Sequence, residues 1–525
     1  MFQTKKSTIF DSELIYTLHI FQMFAYLLVA LTALTYGLYY YFKTTYNYWK
    51  KKNVAGPEPM FLFGNLFESV MRKKHSGTVF KEAYDQFPNE KVVGVYRMVT
   101  PSLLIKDLDI VKQIMIKDFD LFVDRGVEFS KQGLGANLFH ADGDTWRVLR
   151  NRFTPLFTSG KLKNMSYLMT NAAEDFLNYV DTLTKEQPVQ DVYTLVRTFT
   201  VTIISACAFG LDIDIHNDKK LLKRVATIDK LIFEPTYFFE LDMLYPGVLK
   251  KINSSLFPKL ISTFFYELAR NVILDRKGAP IGRKDFMDLI LELRQQGEIK
   301  GMRRSDETEL QLDFNEDVIA AQAFIFYAAG YETSATTMAF MLYELAKNKD
   351  VQEKLLEEID EVLKKYDGKV TYDCISDLHY MEKVFNETLR LYPIVDTLQR
   401  RAMIDYKVPG LDLVIEKGTL CLIPPLAIHR DAKHYPDPEK FDPERFSPEN
   451  VGNRHPCAHI PFGTGPRNCI GMRFAKVQSR ICITRLLSKY RVEPTDRTLK
   501  IMQFNPKRVV ISPNGGIHLK LVPRA

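Results

Sequence analysis

Pro461-Phe-Gly-Thr-Gly-Pro-Arg-Asn-Cys-Ile-Gly471 reads as a tight loop built to hold one thiolate. Gly463 and Gly465 permit positive φ and a close backbone approach that a side chain would block, so the segment can curl under a flat ligand, and Pro466 stiffens the curl. Behind it, Gly471-Met-Arg-Phe-Ala-Lys-Val-Gln begins a helical pattern. Cys469 therefore precedes a helix N-terminus, whose partial positive charge favours a thiolate, and Arg467 adds a nearby cation. A lone cysteine is usually a small core hydrophobe, which suits Cys207, Cys374, Cys421, Cys457 and Cys482. Cys469 departs from that pattern, because a structural cysteine needs neither two loop glycines nor a flanking arginine.

Phe462, Gly463, Gly465, Arg467, Cys469 and Gly471 resemble the Phe-x-x-Gly-x-Arg-x-Cys-x-Gly haem-binding loop of the cytochrome P-450 superfamily. The resemblance implies a mainly α fold with small β-sheets, a triangular helical prism around haem b, behind an N-terminal single-pass membrane anchor. It makes Cys469 the proximal ligand of the haem iron, with Phe462 and Arg467 beside the cofactor. An anionic sulfur pushes electron density through the iron and favours cleavage of a bound O–O bond, so O2 is the expected co-substrate.

The 525 residues, 46% hydrophobic and 26% charged, are ordinary globular material with a large core. No Ser/Gly-rich linker divides the chain after residue 60, which points to one catalytic unit. The six cysteines lack paired metal spacing and are too few for a disulfide scaffold, so a reduced, cytosol-facing compartment fits. Ile20 to Phe42 carries no charge and, as a helix, spans roughly 35 Å, enough to cross a bilayer. Lys43, Lys50, Lys51 and Lys52 follow it, whereas Asp11 and Glu13 offset Lys5 and Lys6 ahead of it; the positive-inside rule puts the remainder of the chain in the cytoplasm. The apolar run is too long for a cleaved signal peptide. The expected organisation is an N-terminal region 1–52 with the anchor at 20–42, a hinge at 53–66 around Gly56-Pro57-Glu58-Pro59, and a haem-thiolate domain 67–525.

Asp313 and Glu316 are spaced as a capping box, and a helical pattern follows to about Asn348. Within it, Ala328-Ala-Gly-Tyr-Glu-Thr-Ser334 places Gly330 where it costs about 1 kcal/mol relative to Ala. Helix crossing would account for Gly330, with Thr333 bonding back to its own backbone. The competing account, preferred beside the Cys469 loop, is close approach of a macrocycle or dioxygen to that backbone. Ala329, Gly330, Glu332 and Thr333 resemble the family's Ala-Gly-x-Glu/Asp-Thr signature, which implies that Thr333 holds the reacting oxygen or a relay water and that Glu332 passes protons inward.

Glu387 and Arg390, three apart, share a helix face that Pro393 ends. With Arg445 in Phe441-Asp-Pro-Glu-Arg-Phe446 they resemble the family's Glu-x-x-Arg and Pro-Glu-Arg-Phe motifs, implying a buried structural cluster behind the haem loop. Trp146 and Arg150 resemble the Trp-x-x-x-Arg motif that meets haem propionates, where a guanidinium binds carboxylate best in bidentate form. Arg400, Arg467 and Arg125 are the further propionate candidates that the resemblance implies.

No Walker loop or complete dinucleotide fingerprint is present; Gly133-Leu-Gly135 lacks the third glycine. Electrons must come from another protein, and the resemblance implies the membrane-bound NADPH-cytochrome P-450 reductase, with cytochrome b5 as a second donor, at the endoplasmic reticulum. The net charge of +7 favours an acidic partner, and Arg147, Arg152, Arg473 and Lys476 flank motifs expected on the proximal side. Nothing in the cation pattern resembles a nucleic-acid motif. The aromatic stretches 119–139 and 233–245 read as pocket walls, while Ala329, Val395 and Leu398 fall by resemblance near the iron, around a small lipophilic substrate. The runs Asp124–Phe139 and Phe153–Leu162 look like the insect microsomal detoxification branch, which oxidises plant toxins and insecticides. A haem-thiolate isomerase or a haem sensor would need no electron donor; the Glu332-Thr333 pair argues against both.

Overall fold

The longest internal helix, Glu316–Lys347, carries apolar side chains on every side and is buried along most of its length, so it forms the axis of the molecule. The computed structural model describes residues 4–127, 132–215, 217–234, 237, 244, 247–254, 257–297, 299–304 and 307–524. The expected pocket walls 119–139 and 233–245 fall partly outside these residues. Helices that position the site are numbered here in chain order: α1 (Thr4–Thr45), α2 (Gly143–Phe153), α3 (Val192–Phe209), α4 (Lys219–Phe233), α5 (Lys259–Asp275), α6 (Glu316–Lys347), α7 (His379–Leu391) and α8 (Met472–Leu487).

The cap of α6 is not Asp313. Asn315 takes that place, its side-chain oxygen accepting from the Val318 N–H at 3.0 Å, because the preceding strand runs to Leu312 and leaves Asp313 in the connection. Both α3 and α5 pack along α6, with Phe265 edge-on to Phe324 at 5.0 Å. By composition α3 is long and apolar enough to span a membrane, with mean hydropathy 1.5, but 83% of it is buried and it is a core helix.

The strands form small sheets. In the largest, β1 (Val92–Arg97), β2 (Thr100–Ile105), β6 (Leu420–Ile423) and β5 (Leu398–Arg401) lie side by side in that order, antiparallel except for the β2–β6 pair. Register pairs Leu398 with Ile423 and Arg400 with Cys421, so one short strand presents both to the interior of the molecule. A hairpin of β3 (Ile299–Met302) and β4 (Glu309–Leu312) packs on α2, where a Cβ on Gly301 would meet Val148 at 2.5 Å.

Helix α1 is longer than the uncharged run at 20–42, and its described side chains stay exposed from Tyr16 to Tyr41. The span Tyr16–Thr45 has mean hydropathy 1.7 and is a candidate membrane anchor. The stretch expected as a hinge is clamped to β1. Trp49 is buried, its indole N–H donates to the Val95 carbonyl at 3.1 Å, and its ring occupies the space that a side chain on Gly94 would need. The Gly94 N–H donates to Ala55 O at 2.8 Å, and Gly56 lies so close to the Gly94 carbonyl that a Cβ would sit 1.9 Å from it. Tyr96 donates to Tyr46 O at 2.9 Å, and Gly64 N–H donates to Tyr46 Oη at 3.2 Å. These bonds leave residues 46–66 little freedom to bend.

Candidate active site

Glycine conformation shapes the Cys469 loop. Gly463 and Gly465 have φ of +73° and +75°, and a Cβ on Gly465 would lie 1.9 Å from Met115 O, so only glycine fits there. The Cys469 N–H donates to Phe462 O at 2.8 Å, Gly463 N–H donates to Ile460 O at 2.9 Å, and Phe462 stacks on Phe385 of α7. The loop delivers Cys469 three positions ahead of α8, which starts at Met472.

Cys469 is exposed by surface area, unlike the other five cysteines, yet it is surrounded by protein atoms that push its thiol up. Both facts hold if the sulfur borders an internal space rather than bulk solvent. A hydrogen bond from the Gly471 N–H and the charges of Arg150 and Arg125 oppose that rise. The cation expected from Arg467 is directed elsewhere: its guanidinium donates to the Val123 and Ala141 carbonyls and lies 5.0 Å from the Trp146 ring centroid. Proximity in sequence did not decide which arginine acts on the sulfur.

Arg150 holds the same loop directly, donating to Asn468 O and Asn468 Oδ1, each at 2.8 Å. Arg125 donates to Phe139 O at 2.6 Å, and Arg400 to Gln399 O at 2.8 Å. Burial lowers these guanidinium groups most: Arg400, with repulsion from Arg467 added, falls to about 9, and Arg467 falls to about 10 against the opposing pull of Asp142 and Asp124. Arg125 is pushed well down by burial and then by Arg467, Arg400 and Arg150. The Nε–H groups of Arg400 and Arg467 are buried and donate no hydrogen bond among the described residues. Asp124 and Asp142 are the carboxylates that act on Arg467, and Asp124 lies 3.9 Å away. Such crowding of positive charge calls for anions, and the two propionates of haem fit it.

On α6, Ile325, Ala329 and Thr333 share one face, and Ala329 is exposed although the helix around it is buried. Thr333 Oγ1 donates back to Ala329 O at 2.6 Å. Gly330 faces another way: a Cβ there would lie 2.8 Å from Ile204 Cδ1 of α3, and its carbonyl accepts from Gln478 of α8 at 3.1 Å. Helix crossing therefore accounts for this glycine, and the expectation of a cofactor approaching it is corrected. Val395 is 38% exposed, and Leu398 Cδ1 lies 3.8 Å from the Cβ position of Gly463, over the Cys469 loop.

Glu387 and Arg390 form a fully buried bidentate pair, with Arg390 Nε and Nη2 donating at 2.7 and 2.8 Å. Arg390 also donates to the His429, Pro438 and Lys440 carbonyls, Asp442 N–H donates to Glu387 Oε1 at 2.8 Å, and Arg445 Nε lies 3.6 Å from Glu387 Oε1. The pair thereby ties α7 to the segment leading into the Cys469 loop.

The family model for cytochrome P450 matches residues 54–521. The chain belongs to the cytochrome P450 family. Cytochrome P450 6B2 of Helicoverpa armigera is 55% identical over 499 residues, which are 95% of this chain and 98% of that protein. Cytochrome P450 6B1 of Papilio polyxenes is 55% identical over 500 residues, covering 95% of this chain and 100% of the relative. Cytochrome P450 6a2 of Drosophila melanogaster is 37% identical over 511 residues, 94% of this chain and 98% of its own. This P450 is accordingly a haem-thiolate monooxygenase similar to insect members of the family.

Two features of the P450 site escaped the sequence. Glu332 is fully buried and is pushed up by burial, against the pull of Arg508 and Arg197; Tyr193 donates to it. Arg197 and Arg508 belong to no motif; Arg197 is the one charged residue in the apolar run Val192–Phe209, and that lone charge is the only signal the sequence offered. Second, not all the cations expected to meet a partner present a bare charge. Lys476 pairs with Glu382 at 2.7 Å and Arg147 with Asp120 at 2.7 Å. A surface cavity of about 600 Å³ opens between α2 and the β3–β4 hairpin, lined by Arg150, Arg152, Lys300 and Arg304 with Pro466 at its edge. Cys469 is not among its lining residues.

Proposed function

We propose that the chain oxidises small lipophilic xenobiotics, such as plant toxins or insecticides, using electrons passed from NADPH by a separate reductase, with cytochrome b5 as a second donor. The observation that carries this reading is an accessible Cys469 sulfur set deep in the protein beside Arg125 and Arg400, whose guanidinium groups are lowered by burial and by neighbouring arginines. Cys469 would bind the haem iron; Arg125, Arg400 and Arg467 would meet the propionates, with Trp146 steadying Arg467 and Arg150 steadying the loop. When bound, haem supplies dioxygen activation, with one oxygen atom going to substrate and the other to water.

The residues of the chain supply position and protons. Ala329, Val395 and Leu398 would shape the floor of the substrate space, and Phe462 would pack under the cofactor. Making water requires two protons per turnover in a site that excludes bulk solvent, so the chain must hold a relay. Thr333 would keep a hydroxyl facing the reacting oxygen, its own proton committed to Ala329 O and its lone pairs available to a relay water. Glu332, with its carboxyl pushed up by burial, would hold a proton and pass it inward.

Anchorage would be in the endoplasmic reticulum membrane with the catalytic domain in the cytoplasm, supported by the free-standing α1 and the lysines that follow it. The β1 clamp on residues 46–66 would carry the orientation of α1 to the catalytic domain. The test is NADPH oxidation by the full-length protein with reductase and a panel of lipophilic compounds. Consumption stimulated by a panel member, with product gaining one oxygen atom from O2, is the expected result. Product formed without NADPH would overturn it.

A further inference from the structure

Gln322 stands on the same side of α6 as Ala329 and Thr333, two turns before Ala329 and roughly 10 Å from it along the helix axis. It is fully buried, and an amide in that position needs both a donor and an acceptor. Both come from the segment ahead of α2: Leu138 N–H donates to Gln322 Oε1 at 2.9 Å, and Gln322 Nε2 donates to Ala136 O at 3.0 Å. Asn137 folds the same segment on itself, its Oδ1 accepting from the Phe139 and His140 N–H groups at 2.9 and 3.1 Å. Beyond it, Arg125 donates to Phe139 O at 2.6 Å and to Arg467 O of the Cys469 loop at 3.5 Å, while Arg467 donates to Ala141 O. Leu138 is buried, whereas Phe139 is 44% exposed, with Arg125 4.1 Å from its ring centroid. The exposed ring therefore stands beside the arginines of the Cys469 loop, on the internal space that the sulfur borders.

We propose that Gln322 is a positioning residue for the substrate wall: its amide fixes the spacing between α6 and residues 136–141, and with it the place of the Phe139 ring in the space that Cys469 borders. The inference rests on the haem site proposed at Cys469. The segment is held at two ends, by Gln322 at Ala136 and Leu138 and by Arg125 and Arg467 at Phe139 and Ala141. Removing the amide leaves a buried N–H and a buried carbonyl without partners, which the segment must move to satisfy. With the arginine end still gripped, that movement turns the segment about Phe139 and changes where the ring stands, while the Cys469 loop keeps its own bonds. Gln322 would thus act on the substrate through Phe139 without touching either substrate or haem.

The test titrates full-length ferric holoprotein with imidazole and with a phenylimidazole, following the absorbance shift as the ring nitrogen binds iron; imidazole is too small to meet the wall, and the added phenyl group reports on it. The proteins compared are wild type, Gln322→Met, Phe139→Ala and the double variant, with Gln322→Asn, too short to reach both backbone groups, replacing Gln322→Met if that variant lacks haem. Gln322→Met is expected to keep the wild-type Kd for imidazole and to change that for the phenylimidazole severalfold, in the direction that Phe139→Ala changes it. The double variant should go no further than Phe139→Ala. Equal changes in both ligands, which a merely loosened fold would give, or wild-type values for Gln322→Met, would overturn the inference and leave the haem site standing. So would effects that simply add in the double variant. No shift with imidazole in the wild type would overturn the haem site itself, and this inference with it.

Discussion

The two walls of the site are specified in different ways. On the Cys469 side, the ten residues 462–471 set the geometry largely through backbone, with Cys469 N–H bonded to Phe462 O and Gly465 pressed against Met115 O. On the α6 side, Thr333 and Glu332 sit on an ordinary helical backbone, and Glu332 is held by Tyr193, Arg197 and Arg508 from elsewhere in the chain. Local over-determination suits a ligand that must be held still. A residue that must gain and lose protons suits a network of several charges, because small rearrangements retune it.

Breaking the support behind the loop should have the largest effect. Glu387→Ala leaves the buried Arg390 and the partly buried Arg445 without their carboxylate, at a cost of roughly 3–5 kcal/mol. The expected outcome is purified protein with little or no haem, measured by haem content per chain; normal content would contradict it. Gly465→Ala comes next, since the new Cβ meets backbone that cannot yield and the residue has φ of +75°. A loss on the order of 3 kcal/mol and a weakened haem absorbance are expected, read by thermal unfolding of the holoprotein.

On the α6 side, stability and chemistry should separate. Thr333→Ala keeps haem content and melting temperature while a severalfold larger share of NADPH is lost as hydrogen peroxide. Unchanged coupling in that variant would remove Thr333 from the mechanism. Gly330→Ala should have the smallest effect, within about 1 kcal/mol, because gained helix propensity offsets contact with the flexible end of Ile204. If Gly330→Ala instead matched Gly465→Ala, the contrast between the two walls would fail.

The same contrast explains what was legible in the sequence. The Cys469 loop, the Glu387-Arg390 pair and the α6 helix were readable because glycine conformation, i,i+3 spacing and a long helical sequence pattern are local signals. The α6 cap moved from Asp313 to Asn315 because the end of β4, a tertiary feature, decides where the helix can begin. Gly330 was misread since a glycine in a helix gives no direction, and only the packed Ile204 shows which neighbour it admits. Arg467 stands near Cys469 in sequence but turns to Trp146 and the Val123 and Ala141 carbonyls, while Arg150, far away in sequence, grips the loop. The clamp on residues 46–66 was hidden for a similar reason: the prolines there signal stiffness, but only the fold supplies the β1 edge and the space beside Gly94 that receive them.

The central claim is that Cys469 presents a thiolate to haem iron. Its most direct test is the carbon monoxide difference spectrum of the reduced full-length protein beside that of Cys469→Ser. The account predicts a thiolate-shifted Soret band in the wild type and its loss in the variant. An unshifted band in the wild type, or a shifted band that persists in Cys469→Ser, would contradict it.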